Sequence, residues 1–359
     1  MADAADDDYF QPVGEKITFA MLPRFPAALS LVGSGLILRE IFLDWRQEGG
    51  EGLKPTSRIL LEVSIADILF STAWLLTTLP APKELDYIWG NMGNTATCTA
   101  QGFINQLGWV TSPLFNVTLA WFYLLMVRYN WTDSQLRRVE PYCHVGIWIF
   151  GLVSAIYPIP MELYNSAWQL CWIESHPVEC LDSYRYGEEA TCTRGDNAWF
   201  HSLAFSIFPC WLCVFLSFFF MGSIYSSVRQ LETRLSRYAG ASAAKSSLST
   251  DVTGKFSNTS RTSDSEGGGG LGGGDARLVI LEQRANRDRS HKVATQAMLY
   301  ITAFLLCYVL DTIGTILYHV TGWWSFWFDV AAYFLAPLQG FLNFLCLHPT
   351  KKKHEITSG

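Results

Sequence analysis

Residues 199–228 read Trp199-Phe200-His201-Ser202-Leu203-Ala204-Phe205-Ser206-Ile207-Phe208-Pro209-Cys210-Trp211-Leu212-Cys213-Val214-Phe215-Leu216-Ser217-Phe218-Phe219-Phe220-Met221-Gly222-Ser223-Ile224-Tyr225-Ser226-Ser227-Val228, without one Lys, Arg, Asp or Glu. A hydrocarbon core about 30 Å thick takes about 20 mostly apolar residues in a helix. This run is long enough to cross. Six further stretches qualify, at 17–41, 58–80, 99–127, 143–162, 293–318 and 324–347. The fold expected is therefore all-α, a bundle of seven transmembrane helices. Pro23, Arg24 and Pro26 disturb the first of them near its N-terminal end.

Composition points the same way. The 359 residues are 50% hydrophobic and 16% charged, where a soluble domain carries roughly 25% charged residues. Lipid-facing surface accounts for the deficit. Fourteen Trp, fifteen Tyr and twenty-three Phe suit membrane–water interfaces, which favour amphipathic rings. A net charge of −6 gives no reason to expect nucleic acid, which demands clustered Lys and Arg. The first sixteen residues carry Asp3, Asp6, Asp7, Asp8 and Glu15 where a secretory leader would be basic, so the first span is expected to act as its own signal.

Orientation follows from Lys and Arg, because cytoplasmic flanks retain positive charge during insertion. With the N-terminus outside, 21 of the 26 basic residues fall inside; only Lys16, Arg24, Lys83, Arg185 and Arg194 fall outside. Acidic residues divide evenly, 14 on each side, leaving Glu62, Asp67, Asp311 and Asp329 within helices. The outer face is thus net acidic. None of the sequons at Asn116, Asn130 and Asn258 lies outside in this arrangement.

The chain then divides into an extracellular tail (1–16), five helices (17–228), a third cytoplasmic loop (229–292), two helices (293–347) and a cytoplasmic tail (348–359). Within the third loop, 238–275 is rich in Ser, Thr and Gly and is expected to be disordered, having almost nothing apolar to bury. Its twelve Ser and Thr between Ser242 and Ser265 are candidate phosphorylation sites. There is no internal repeat of the kind found in transporters built from duplicated halves.

Of nine cysteines, Cys98, Cys171, Cys180 and Cys192 fall outside, where thiols are oxidised. Four cysteines permit three pairings. Cys143, Cys210, Cys213, Cys307 and Cys346 are expected to be small packing residues.

Pro337-Leu338-Gln339-Gly340-Phe341-Leu342-Asn343 resembles the Pro-Leu-Gln-Gly-x-x-Asn signature of the slime-mould cyclic-AMP receptor-like family of G-protein-coupled receptors. Leu60-Leu61-Glu62-Val63-Ser64-Ile65-Ala66-Asp67 is similar to the second helix of such receptors, and Cys171-Trp172-Ile173 to their second outer loop. Cys98 stands where that family places the partner cysteine. The favoured pairing is Cys98–Cys171, tying the third helix to the second outer loop, with Cys180–Cys192 closing a small loop within it. The resemblance implies a receptor at the plasma membrane, with no cofactor, that couples an extracellular small ligand to a heterotrimeric G protein. The third helix ends Val127-Arg128-Tyr129, without the acid that precedes this Arg in rhodopsin-like receptors.

Intramembrane ionisable groups are costly and mark function by default. At about 1.5 Å rise per residue, Asp67 lies about 15 Å deep and Gln339 about 12 Å, while Glu62 and Asn343 lie about 8 and 6 Å from the inner surface. A polar network is expected that pairs Asp67 with Gln339, and Glu62 with Asn343 and Arg128, and rearranges when the sixth helix moves. Asp311 and Asp329 fall in the outer half, where they are expected to line a ligand pocket with Asn105, Gln106, Trp109 and Trp327. With five basic residues outside against fourteen acidic ones, the expected ligand is cationic or neutral, since a phosphate ligand wants Arg or Lys nearby. Arg137, Arg138, Arg229 and Arg289 would border the G-protein cavity.

Other seven-helix classes fit less well. A microbial-type rhodopsin needs a Schiff-base Lys in the seventh helix, and 324–347 contains none. A zinc hydrolase needs His and carboxylates at helical spacing, and no HxxxH or HxxxD pair lies within a span. A transporter or ion-conducting protein is the alternative, with Asp67 and Asp311 serving an ion path.

Overall fold

The computed structural model describes residues 12–47, 52–177, 180, 192–253 and 272–347. Among them, seven helical stretches are long and apolar enough to cross a bilayer: α1 (Val13–Gln47), α2 (Pro55–Leu76), α3 (Thr95–Tyr129), α4 (Asp133–Ile156), α5 (Ala198–Gln230), α6 (Lys292–Tyr318) and α7 (Phe326–Leu347). A two-stranded antiparallel hairpin, β1 (Tyr164–Ala167) and β2 (Leu170–Ile173), joins α4 to α5 with Cys171 opposite Ser166.

Helix ends sit at specific chemical signals. α3 opens with a capping box in which the Asn94 side chain accepts from the Thr97 N–H and Thr97 Oγ1 accepts from the Asn94 N–H. α4 opens on Thr132 and Gln135 in the same way, ten residues before the apolar run at 143 begins. Hydropathy finds the part that crosses lipid, whereas the helix itself starts at its cap in water. α4 stops at Ile156, just before Pro158 and Pro160, each of which removes a backbone donor. α2 ends at Thr77, whose φ of 47° no helix tolerates. α1 is broken at Leu22-Pro23 into Val13–Met21 and Arg24–Gln47.

The other irregularities lie inside spans, among them Pro141 in α4. α3 contains Pro113. α5 includes a π-helical turn, Leu203–Ile207, and α7 a 3-10 turn, Ala336–Leu338, around Pro337. Beyond the spans, α5 runs on in the helix Phe208–Thr253 and α6 belongs to Gly272–Thr321. Both ends of the insert expected to be disordered are therefore helical. Ala239, Ala241, Ala243 and Ala244 are the strongest helix formers, which composition alone understates. The middle of the insert, 254–271, lies outside the described residues, as does the tail from 348.

The core is continuous from Ile37 and Ile59 through Phe70, Phe115 and Phe122 to Phe304 and Tyr308. The outward faces are also apolar. On α5, Phe208, Leu212, Phe215 and Phe219 form a helical stripe turned away from the bundle, and on α4 Val145, Ile149, Leu152, Val153 and Ile156 do the same. A soluble protein does not present such stripes to water, and this chain is a multi-pass membrane protein.

Helices α1 and α7 meet through small residues. The Gly340 N–H donates to Ser30 Oγ at 3.0 Å, and a Cβ on Gly33 would lie 2.7 Å from Phe341 Cα. Between α2 and α3, a Cβ on Gly108 would lie 2.6 Å from the Phe70 backbone nitrogen. Such close approach is how helices gain van der Waals contact in lipid, where no hydrophobic drive separates them from the solvent.

Candidate functional site

Two disulfides mark one end of the bundle. Cys98–Cys171 ties the start of α3 to β2, and Cys180–Cys192 closes a loop of sequence separation 12. Both expected pairings are present. The hairpin that Cys98–Cys171 holds is fastened further by Gln101, whose Nε2 donates to the carbonyls of Ala73 (2.9 Å) and Thr77 (2.6 Å) while its Oε1 accepts from the Cys171 N–H (3.0 Å). One buried amide thus joins α2, α3 and the hairpin.

Beneath the hairpin lies a cavity of about 330 Å³, in the range of small-molecule sites. Asp311 and Asp329, from α6 and α7, both line it, as do Asn105 and Trp109 from α3. Four of the six expected ligand residues are therefore brought together. From the N-cap Ser325 along α7 the inward positions are Phe328, Asp329, Ala332 and Tyr333, the spacing of one helical face. Trp327 falls off that face and is 76% exposed, which corrects its assignment to the pocket. Gln106 is turned a third of a revolution from Asn105. It accepts from Trp172 Nε1 (2.7 Å) and Ser206 Oγ (2.8 Å), bracing the hairpin and the π turn of α5 from behind the cavity wall.

Most of the wall comes from residues that carry no signal in the sequence. Trp74, Trp172, Trp211, Trp323 and Trp324 line the cavity, with Glu174 at the end of the hairpin. Trp324 Nε1 donates to Asp329 Oδ2 at 2.7 Å. Burial pushes the Glu174 carboxyl up to about 7, against the lowering effect of the Ser175 N–H that it accepts. Among the described residues, no Lys, Arg or His lines the cavity. The described wall thus presents indole faces and carboxylates to the cavity.

A second polar group lies deeper. Asp67, buried at 2% exposure, accepts from Ser112 Oγ at 2.6 Å and from Asn343 Nδ2 at 3.0 Å, linking α2, α3 and α7. The pairing expected with Gln339 is not formed. Gln339 is buried with neither side-chain polar atom partnered. Nor does Glu62 meet Asn343 or Arg128. It accepts from Trp148 Nε1 at 3.1 Å and lies 3.5 Å from His144 Nδ1, so it faces α4. His144 also reaches Glu140, which pairs with Arg58 at 2.7 Å. Arg128 is exposed and rests over the Tyr129 ring.

Of the residues assigned to a G-protein surface, Arg137 donates to the carbonyl of Gly52 at 3.0 Å, clamping the α1–α2 loop. Arg138 and Arg229 are exposed at the end away from the disulfides. The Arg289 side chain lies outside the described residues. Cys210 and Cys213 are buried free thiols, and Cys210 lines the cavity floor.

No model of a known protein family matches the chain, and no curated protein matches it either. Among solved structures it is similar to the crystal structure of squid rhodopsin, with a TM-score of 0.59 over 97% of this chain and 81% of that one, at 14% identity. At that identity the likeness is one of fold, and the fold is the rhodopsin-type seven-transmembrane bundle.

Proposed function

We propose that this chain is a G-protein-coupled receptor of the plasma membrane, with the disulfide-bearing end outside, responding to a small cationic or neutral ligand. The observation that carries the reading is the roofed cavity at one end of a rhodopsin-type bundle, stacked over the buried Asp67–Ser112–Asn343 link. A pocket touching α3, the hairpin, α5, α6 and α7 lets one ligand favour one arrangement of those helices over another, which is all that signalling requires thermodynamically. The Asp67 link would then exchange partners, and an inner cavity bordered by Arg138, Arg229 and Arg289 would open to the G protein. Disulfides persist in oxidising compartments, which supports placing this end outside. Membership of the slime-mould cyclic-AMP receptor-like family rests on the Pro337–Asn343 segment, the Ser64–Asp67 segment and the Cys98–Cys171 pair.

The test is ligand-dependent nucleotide exchange on a heterotrimeric G protein reconstituted with the full chain in lipid. Exchange that rises with agonist supports the receptor. Ion flux through the same vesicles, without exchange on any G protein, would establish the transporter instead.

A further inference from the structure

Three residues that line the cavity carry buried polar atoms that nothing among the described residues satisfies. Asn105 is 3% exposed and its Oδ1 accepts no hydrogen bond; Trp109 (6%) and Trp74 (5%) each carry an indole N–H that donates to nothing. Leaving a buried hydrogen bond unmade is costly, so three such atoms around one cavity describe a partner with at least one donor and one acceptor. The carboxylates differ as well. Asp329 already accepts from Trp324, whereas the Asp311 side chain has no hydrogen-bond or ion-pair partner among the described residues, although it lines the same cavity.

Resting on the receptor reading, we infer that the ligand is a monocationic amine whose ammonium sits between Asp311 and Asn105 Oδ1, with a polar acceptor directed at the indole N–H groups of Trp74 and Trp109. An ammonium donates to both Asp311 and Asn105. The indole faces around it add cation–π attraction, which grows as water is excluded. Asp329, held by Trp324, contributes charge from the second side. Glu174 stands at the hairpin end of the cavity as a third acid. Orphaned donors and an orphaned acceptor together disfavour a purely apolar ligand, and among the described residues the wall offers an anion no cation.

Binding to the full chain in lipid nanodiscs, measured calorimetrically, separates the charge classes with matched probes: 2-phenylethylamine against 2-phenylethanol and phenylacetate, and tryptamine against its alcohol and carboxylate counterparts. The amines are expected to bind roughly ten- to a hundredfold more tightly than the alcohols, the ratio of a charged hydrogen bond to a neutral one, and the carboxylates not at all. Asp311→Asn should weaken the amines by roughly tenfold or more while leaving the alcohols unchanged; Asp329→Asn should cost less. Alcohols binding as tightly as amines, or no amine binding to protein that still unfolds cooperatively, would overturn the inference. Should Asp311→Asn fail to fold, the comparison of probes on the unaltered chain still decides. Because this measurement needs no G protein, amine binding without nucleotide exchange sinks only the receptor reading. Exchange driven by an uncharged ligand sinks only the amine.

Discussion

Asp67 shows how far a single side chain can be read in advance. A lone acid in the middle of an apolar span announces itself, because burying it unpaired is costly. Its partner does not. Counting depth along straight helices sets Gln339 opposite, but the 3-10 turn at Ala336–Leu338 rises about 2.0 Å per residue with three residues per turn, and it shifts both the height and the facing of everything after it. Asn343 meets Asp67 instead. The geometry then makes a definite prediction. In Asp67→Asn, a carboxamide still accepts from Ser112, but its NH₂ confronts the Asn343 NH₂. Ligand-dependent exchange at equal surface expression should fall several-fold, and the reciprocal pair Asp67→Asn with Asn343→Asp should recover most of it. If the single variant signals normally, the link is structural only.

Helix existence was legible because lipid imposes one requirement, about 20 apolar residues per crossing, and each of the seven runs satisfies it. Helix faces were not, since in a bundle surrounded by lipid both the core side and the outer side are apolar, and periodicity loses contrast. Hence the sequence does not distinguish Trp327, which is exposed, from Trp74 and Trp172, which line the cavity. Packing between elements was hidden for another reason. Gly340 reads as part of a signature, yet its place against Ser30 and Ser34 of α1 makes it a contact surface. Gly340→Val has no room there, and is expected to abolish surface expression. Gly35→Ala is the control, because a Cβ at Gly35 meets nothing within 4 Å. Loss of expression in both would mean that the α1–α7 seam is not what Gly340 serves.

The two ends of the molecule differ in kind. One carries both disulfides, the hairpin roof and the carboxylate cavity; the other carries Arg138, Arg229 and the Arg58–Glu140 pair. Over the whole chain, 21 of 26 basic residues gather at the second end if the N-terminus lies outside. The net-acidic face would then concentrate cations at the cavity mouth, an effect that weakens over a Debye length of about 8 Å at physiological salt. Orientation therefore decides whether the cavity samples the medium or the cytosol, and with it the meaning of the site. An epitope tag fused before Met1 should be stained on intact cells. The same tag inserted between residues 254 and 271 should be stained only after permeabilisation. The reverse pattern would turn the cavity inward, strand the disulfides in a reducing compartment and remove the ground for an extracellular ligand, whatever the fold.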